Sequence, residues 1–434
     1  MAITGSLQKR KYLNVILPIF IASVLAYLDR LNISYAALTM NKDLGFSAEV
    51  FGMGAGILFF GYVLFEVPGT VFASNRSARK WLFRIMFTWG FACAAMALIN
   101  NAWQFYLVRF LIGAAEASFY PVCYSVIIPR FFNAKERAAA ISIMLTSLLI
   151  SSIIGSPMAG VLLGTKFLGL AGWKTLFLIQ GVLAVFYSFF LLAWIKDKPD
   201  DCNWLTPEEK KAMNEEFIAE IEAKNKVKKY NVWQALADKT VLKLSLTYFL
   251  WITGFWGFGF FLPTVLKKVS GLSNASVSYL IIIPMAIALV GFVLNGNHSA
   301  KTGETRWHIS IPMFIGAFGL FAGTMVVGNP VLSFIFLCIA CVGVYVGMGV
   351  WWTVPTSFLS GEAAAGATGL INSVGNIGGW VGPYIVGISI TRTGSNTAAF
   401  WYMSASLILA GILMLTLPKE NVAAQADNNE KKVV

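Results

Sequence analysis

Long apolar blocks separated by short polar turns run along almost the whole chain. Inside a block the apolar residues neither alternate, as in a half-buried strand, nor keep to one helical face. Each block is therefore expected to be a helix that is apolar all round. Twelve blocks come near or exceed the roughly 20 residues needed to cross a bilayer. They run from about Asn14 to Leu38, Val50 to Ala73, Trp81 to Ile99, Trp103 to Ile128, Ala138 to Leu163 and Thr175 to Ile195. The second set runs from about Val241 to Leu266, Ser276 to Leu294, Ile309 to Val327, Val331 to Trp352, Ala363 to Ile390 and Ala398 to Leu417. The first block follows Lys9, Arg10 and Lys11, as a signal peptide core would. Its length, its Asp29 and Arg30, and the lack of a small-residue cleavage site after it make it a retained first span.

One long polar stretch, Lys196 to Thr240, interrupts the series; its acidic residues are balanced by basic ones. Thr206, Pro207 and Glu209 form a capping box with proline at the first helical position. Glu220 with Lys224 and Glu222 with Lys226 are i,i+4 pairs. The stretch reads as a solvated helical linker (196–240) between six-span bundles at 1–195 and 241–417, with a tail at 418–434. A short internal repeat agrees: Asn75-Arg-Ser-Ala-Arg-Lys-Trp81 follows the second span and Lys301-Thr-Gly-Glu-Thr-Arg-Trp307 the eighth. Two parallel six-span repeats are a transporter layout, with the binding site between them.

Composition supports a lipid bilayer as the main solvent: 57% of residues are hydrophobic and 12% charged, against about 25% charged in soluble domains. A net charge of +12 would suit nucleic acid, but the placement of the charges excludes it. Basic residues crowd the turns on the N-terminal side, the linker and the tail. The opposite turns hold only Lys42, Lys166, Lys174, Lys267, Lys268 and Arg392. This is the positive-inside bias and puts both termini in the cytoplasm. Five cysteines form no disulfide framework, and the Cys338/Cys341 pair has neither a second pair nor a nearby histidine, so no metal or cofactor is expected. Gly52-Met-Gly-Ala-Gly56 sits inside an apolar block with no preceding strand, which favours helix packing over nucleotide binding.

Ionisable residues inside a span are costly and are functional candidates by default. Asp29 and Arg30 lie in the first span, Glu66 in the second, Arg109 and Glu116 in the fourth, and the second half holds none in mid-span. Arg109 and Glu116 share a helix face but stand about 10.5 Å apart, too far to pair directly. The arginine is left free for a carboxylate, and the desolvated glutamate for a proton. The alternative is that these charges form static salt bridges between helices. Asp29 and Arg30 are about 100° apart and cannot reach one spot; one arrangement has both lining a cavity. Tyr27 and Tyr62 are candidate walls, and Trp351-Trp352-Thr353-Val354-Pro355 is expected to end the tenth span with a kink. Asn372 and Asn376, at i,i+4 in a glycine-rich helix, face either a ligand or a neighbouring helix.

These residues give the chain a resemblance to the anion:cation symporter branch of the major facilitator superfamily, carriers of sugar acids, tartrate, galactonate and phthalate. The resemblance rests on Tyr27-Leu-Asp-Arg-Leu-Asn32, Tyr62-Val-Leu-Phe-Glu-Val-Pro68, and Arg109-Phe-Leu-Ile-Gly113 with Ala115, Glu116, Ala117 and Pro121. Pro355-Thr-Ser-Phe-Leu-Ser-Gly361 and Ile371-Asn-Ser-Val-Gly-Asn-Ile-Gly-Gly379 with Gly382-Pro383 complete it. It implies an all-α membrane protein with the major facilitator fold and twelve transmembrane helices. It also implies Asp29 and Glu116 as proton-binding carboxylates, Arg30 and Arg109 as substrate-carboxylate ligands, and Tyr27, Tyr62, Trp352, Asn372 and Asn376 as further lining. The superfamily's cytoplasmic turns usually carry an acid; here Ser74 and Ser77 stand in the first copy and Ala300 in the second. The expected function is proton-coupled symport of a small organic anion by a monomer in the bacterial inner membrane. An exchanger or facilitator on the same fold, or a non-transporting sensor, would keep the same residues. An enzyme is not expected, for no nucleophile with its base and no metal set is present.

Overall fold

The computed structural model describes residues 5–166, 169–226, 238–355 and 361–417. Six long helices precede the linker: α1 (Ser6–Leu44), α2 (Ala48–Ser74), α3 (Ala78–Leu98), α4 (Ala102–Phe131), α5 (Ala134–Leu163) and α6 (Gly172–Trp194). Six follow it: α7 (Lys239–Ser270), α8 (Asn274–Thr302), α9 (Arg306–Gly323), α10 (Pro330–Trp351), α11 (Gly361–Thr393) and α12 (Thr397–Leu415). Ten of them are long and apolar enough to cross a membrane. The other two are α9, which opens with Arg306 and His308, and α11, which carries glycines and two asparagines. Several helices outrun the apolar blocks, because hydropathy marks the lipid-soluble part of a helix and not its capped ends. Those ends are built by local chemistry. Ser47, Ser77 and Asn101 accept the backbone N–H groups of Val50, Lys80 and Gln104, and Gly45, Gly271 and Gly303 close helices in the left-handed region.

Within the first six helices, α1 lies against α5 and α6, α2 against α4, and α3 against α6. In the last six, α7 lies against α11 and α12, α9 against α10 and α12, and α8 against α10. The two sets meet where α2 touches α11, α5 touches α8 and α1 touches α7. The α2–α11 seam is backbone-close on the side away from the linker. A Cβ added to Gly52 would stand 2.2 Å from the Pro383 carbonyl oxygen, one on Gly387 2.3 Å from that of Ala48, and one on Gly56 2.7 Å from that of Trp380. The Glu49 N–H donates to Thr391 Oγ1 at 2.9 Å on the same side. The glycine run 52–56 thus serves helix packing, which closes the molecule on its far side.

On the linker side, helix Pro207–Lys226 carries the expected capping box: Thr206 Oγ1 accepts from the Glu209 N–H, and Glu209 Oε2 from the Thr206 N–H. Arg10 forks onto Glu209 at 2.6 and 3.2 Å, and Arg137 forks onto Glu220 at 2.6 Å through both nitrogens. Glu220 thereby joins the linker helix to α5. The side chains of Lys224 and Lys226, most of the motif Pro355–Gly361 and the tail 418–434 lie outside the described residues. In the turn after α2, the acid comes from elsewhere. Asp197, just past α6, accepts from Ser77 Oγ at 2.6 Å and from the Arg79 N–H at 2.9 Å. It stands in front of the α3 N-terminus, where a negative charge is favoured.

Candidate substrate and proton site

The first helical segment of α4 ends at Glu116. Ala117 leaves the helical region and Ser118 sits at φ 71°, a strained value for a residue with a side chain, before the helix resumes at Phe119–Pro121 and continues as a π turn over Val122–Ile127. Ser118 Oγ accepts from Trp81 Nε1 at 3.1 Å and faces Gly69, where a Cβ would meet that oxygen at 2.5 Å. These contacts hold the break beside the buried glutamate.

Glu116 is fully buried and forms a two-pronged pair with Arg30 of α1: Nη2 donates to Oε1 at 2.7 Å and Nε to Oε2 at 3.2 Å. The Arg30 guanidinium carbon lies 5.0 Å from the Tyr62 ring centre, 5.6 Å from Tyr27, 5.7 Å from Tyr120 and 5.8 Å from Phe59. A cation caged by four aromatic rings gains from their negative faces, and its planar fork is left to one carboxylate. This is the helix-to-helix salt bridge weighed as the alternative for the intramembrane charges, but it holds for only one pair.

Asp29 does not share that cavity. The turn of about 100° between adjacent residues aims it at α3, where Trp89 Nε1 donates at 2.8 Å and the Cys93 thiol at 2.6 Å. Among the described residues its carboxylate has two donors and no ion pair with an arginine. Arg109, also fully buried, is not in the cage: it donates to the Gly54 carbonyl at 3.3 Å and the Ala55 carbonyl at 3.1 Å of α2, and its Nη1 has no partner among the described residues. Instead of standing free for an anion, in this conformation it ties α4 to α2.

Tyr27 and Tyr62 wall the Arg30 cage as described. Trp352 is half-buried and meets Tyr248 edge-on at 5.4 Å, while Tyr248 stacks on Trp351 at 5.0 Å. Asn372 Nδ2 donates across the two halves to Glu66 Oε1 at 2.7 Å, and Glu66 Oε2 has no partner among the described residues although the residue is 6% exposed. Asn376 is half-buried and makes no hydrogen bond among the described residues. Sequence reasoning missed Phe59, Tyr120, Trp89, Cys93 and Tyr248. Aromatic side chains make up 14% of the chain, too many for position alone to single these out. Tyr120 did carry a signal, beside Pro121 in the fourth-helix motif.

Residues 19–383 match the family model of the Major Facilitator Superfamily. The chain belongs to that superfamily. With ten helices among the described residues long and apolar enough to cross a membrane, and with bacterial relatives, it is a multi-pass protein of the bacterial inner membrane. It is 38% identical over 397 residues to a "Putative tartrate transporter" of Agrobacterium vitis, covering 91% of this chain and 90% of the relative. It is 34% identical over 392 residues to a "Quinolone resistance transporter" of Acinetobacter baumannii, covering 90% of each. Its fold resembles a bacterial homolog to the human lysosomal transporter Spinster in its inward-facing, unoccupied conformation. The TM-score there is 0.72 at 18% identity, with 95% of each chain covered.

Proposed function

We propose that this protein carries a small organic anion, a sugar acid, tartrate or related hydroxy-carboxylate, together with protons. It works by alternating access between two six-helix halves, with the linker side in the cytoplasm. The name of the Agrobacterium relative supports the substrate class, and the charge bias of the turns supports the orientation.

The observation that carries the reading is the caged Arg30–Glu116 pair. A buried guanidinium that loses its carboxylate costs about 3–5 kcal/mol, so Arg30 needs one carboxylate at every stage. A proton arriving on Glu116 frees the fork only if another carboxylate takes its place. An anion arriving without a proton leaves an excess negative charge out of water. Each step is unfavourable alone and neutral in combination, which is what couples the two fluxes. Asp29, held by the Trp89 and Cys93 donors, is the second carboxylate proposed for protons. Arg109 adds positive field near it, and is the second arginine proposed for the substrate once the carbonyls of α2 release it. Tyr27, Tyr62, Trp352, Asn372 and Asn376 are proposed to take the hydroxyl-bearing remainder.

Uptake of sugar acids and tartrate into proteoliposomes with an imposed pH gradient is the test. Glu116→Gln should abolish gradient-driven accumulation while counterflow exchange persists. Wild-type uptake that ignores the gradient but supports counterflow would replace symport by exchange, and uptake of none of these acids would remove the substrate class.

A further inference from the structure

Glu66 is the one intramembrane carboxylate that the coupling scheme leaves unused, and its position along the α2–α11 seam gives it a role. The two helices run antiparallel, so contacts step down α2 as they step up toward the start of α11. Ala48 meets Gly387, Gly52 meets Pro383, Gly56 meets Trp380, Phe59 meets Gly379, and Glu66 meets Asn372. The first three contacts press a glycine against the facing backbone and the fourth sets the Phe59 ring against Gly379; none of the four involves an ionisable group. The last is a single hydrogen bond between side chains, 2.7 Å long, at a residue 6% exposed. One turn farther from the linker on the same helices stand Tyr62, whose ring faces Arg30, and Asn376. Toward the linker the described residues of the seam draw apart: a Cβ on Gly369 would meet none of them within 4 Å, and Ser74 is exposed.

We infer that the Glu66–Asn372 hydrogen bond is the linker-side gate of the Arg30 site, a rung that opens and closes the path between the site and the linker side. A bond joining the halves one turn below the cage must break before they separate there. An amide donating to a buried carboxylate oxygen is strong enough to hold them and, being a single contact, weak enough to yield. Glu66 is thus a positioning residue between the halves and not a ligand of the Arg30 fork. The consequence for transport rests on the alternating-access reading; the gate itself does not.

The test is the labelling of a reporter cysteine, Thr70→Cys, by a membrane-impermeant maleimide added from the linker side of reconstituted vesicles without substrate. Thr70 lies one turn beyond Glu66 and is half-buried. Protein without the reporter corrects for the five native cysteines. Losing one such bond should speed labelling roughly fivefold in Glu66→Ala and equally in Asn372→Ala. The double variant should be no faster than either, and Glu66→Gln, whose amide oxygen still accepts from Asn372, should label like the parent. Unchanged rates in the alanine variants, or additive rates in the double, would overturn the gate. Should Glu66→Ala not fold, Asn372→Ala with Glu66→Gln decides alone. Because no substrate is present, a gate that behaves as expected in a protein that moves no organic acid defeats only the transport reading. A gate that fails in a protein that accumulates acids defeats only the gate.

Discussion

Arg30 shows how much one side chain depends on its neighbours. Its fork gives Glu116 two parallel bonds and its flat faces lie among four rings, features a lysine cannot copy. Arg30→Lys is therefore expected to raise the KM for the transported anion about tenfold or more, measured as initial uptake rates over a substrate series; an unchanged KM would take the fork out of substrate binding. Asp29 depends on neutral donors. Cys93→Ala removes one of two hydrogen bonds to a buried carboxylate, a loss of about 1–3 kcal/mol, whereas Cys93→Ser keeps a donor. The alanine variant should melt several degrees lower in detergent and the serine variant close to the parent; equal melting would mean that the thiol fills space only. Sequence made these charges visible, because an ion in an apolar block stands out. It did not show their partners, since Arg30 lies 86 positions from Glu116 and Asp29 lies 60 from Trp89.

At the scale of helices, hydropathy and caps predicted the elements well, and the glycine pattern predicted close approach without saying to what. Gly56→Leu would drive a branched side chain into the Trp380 backbone, an overpacking cost of about 1–3 kcal/mol. It should hold α2 and α11 apart and stop uptake while the protein still reaches the membrane, as uptake and surface yield together would show. The linker helix answers to pH. Burial alone would push the Glu209 carboxyl up, but the Thr206 N–H and the Arg10 guanidinium outweigh it and hold it below the ordinary glutamate range. A carboxyl lowered in the folded state stabilises docking above its unfolded value and loses that contribution as pH falls through the folded one. Protease cutting around the linker should stay constant from about pH 8 to 5 and rise below about pH 4. Cutting that rises already between pH 7 and 5 would assign the docking to other groups.

The whole molecule is closed on the side away from the linker, where glycines let backbones touch and Thr391 bonds the Glu49 N–H. Cysteines at Glu49 and Thr391 should cross-link on oxidation and stop transport until reduced; full transport by the cross-linked protein would show that this seam need not open. By itself, the sequence determined that the chain lives in a bilayer, which stretches of it are apolar helix, and which charges needed an explanation. Each of these follows from properties of neighbouring residues, read over one or two helical turns. Tertiary structure alone decided that Glu116 lies on Arg30 and not free, that Arg109 grips carbonyls of α2, that Asp197 supplies the acid the turn lacks, and that Asn372 bonds Glu66. These are contacts between helices distant in sequence. Their geometry depends on how twelve cylinders rotate against one another, and a hydropathy pattern that is apolar on every face leaves that rotation undetermined.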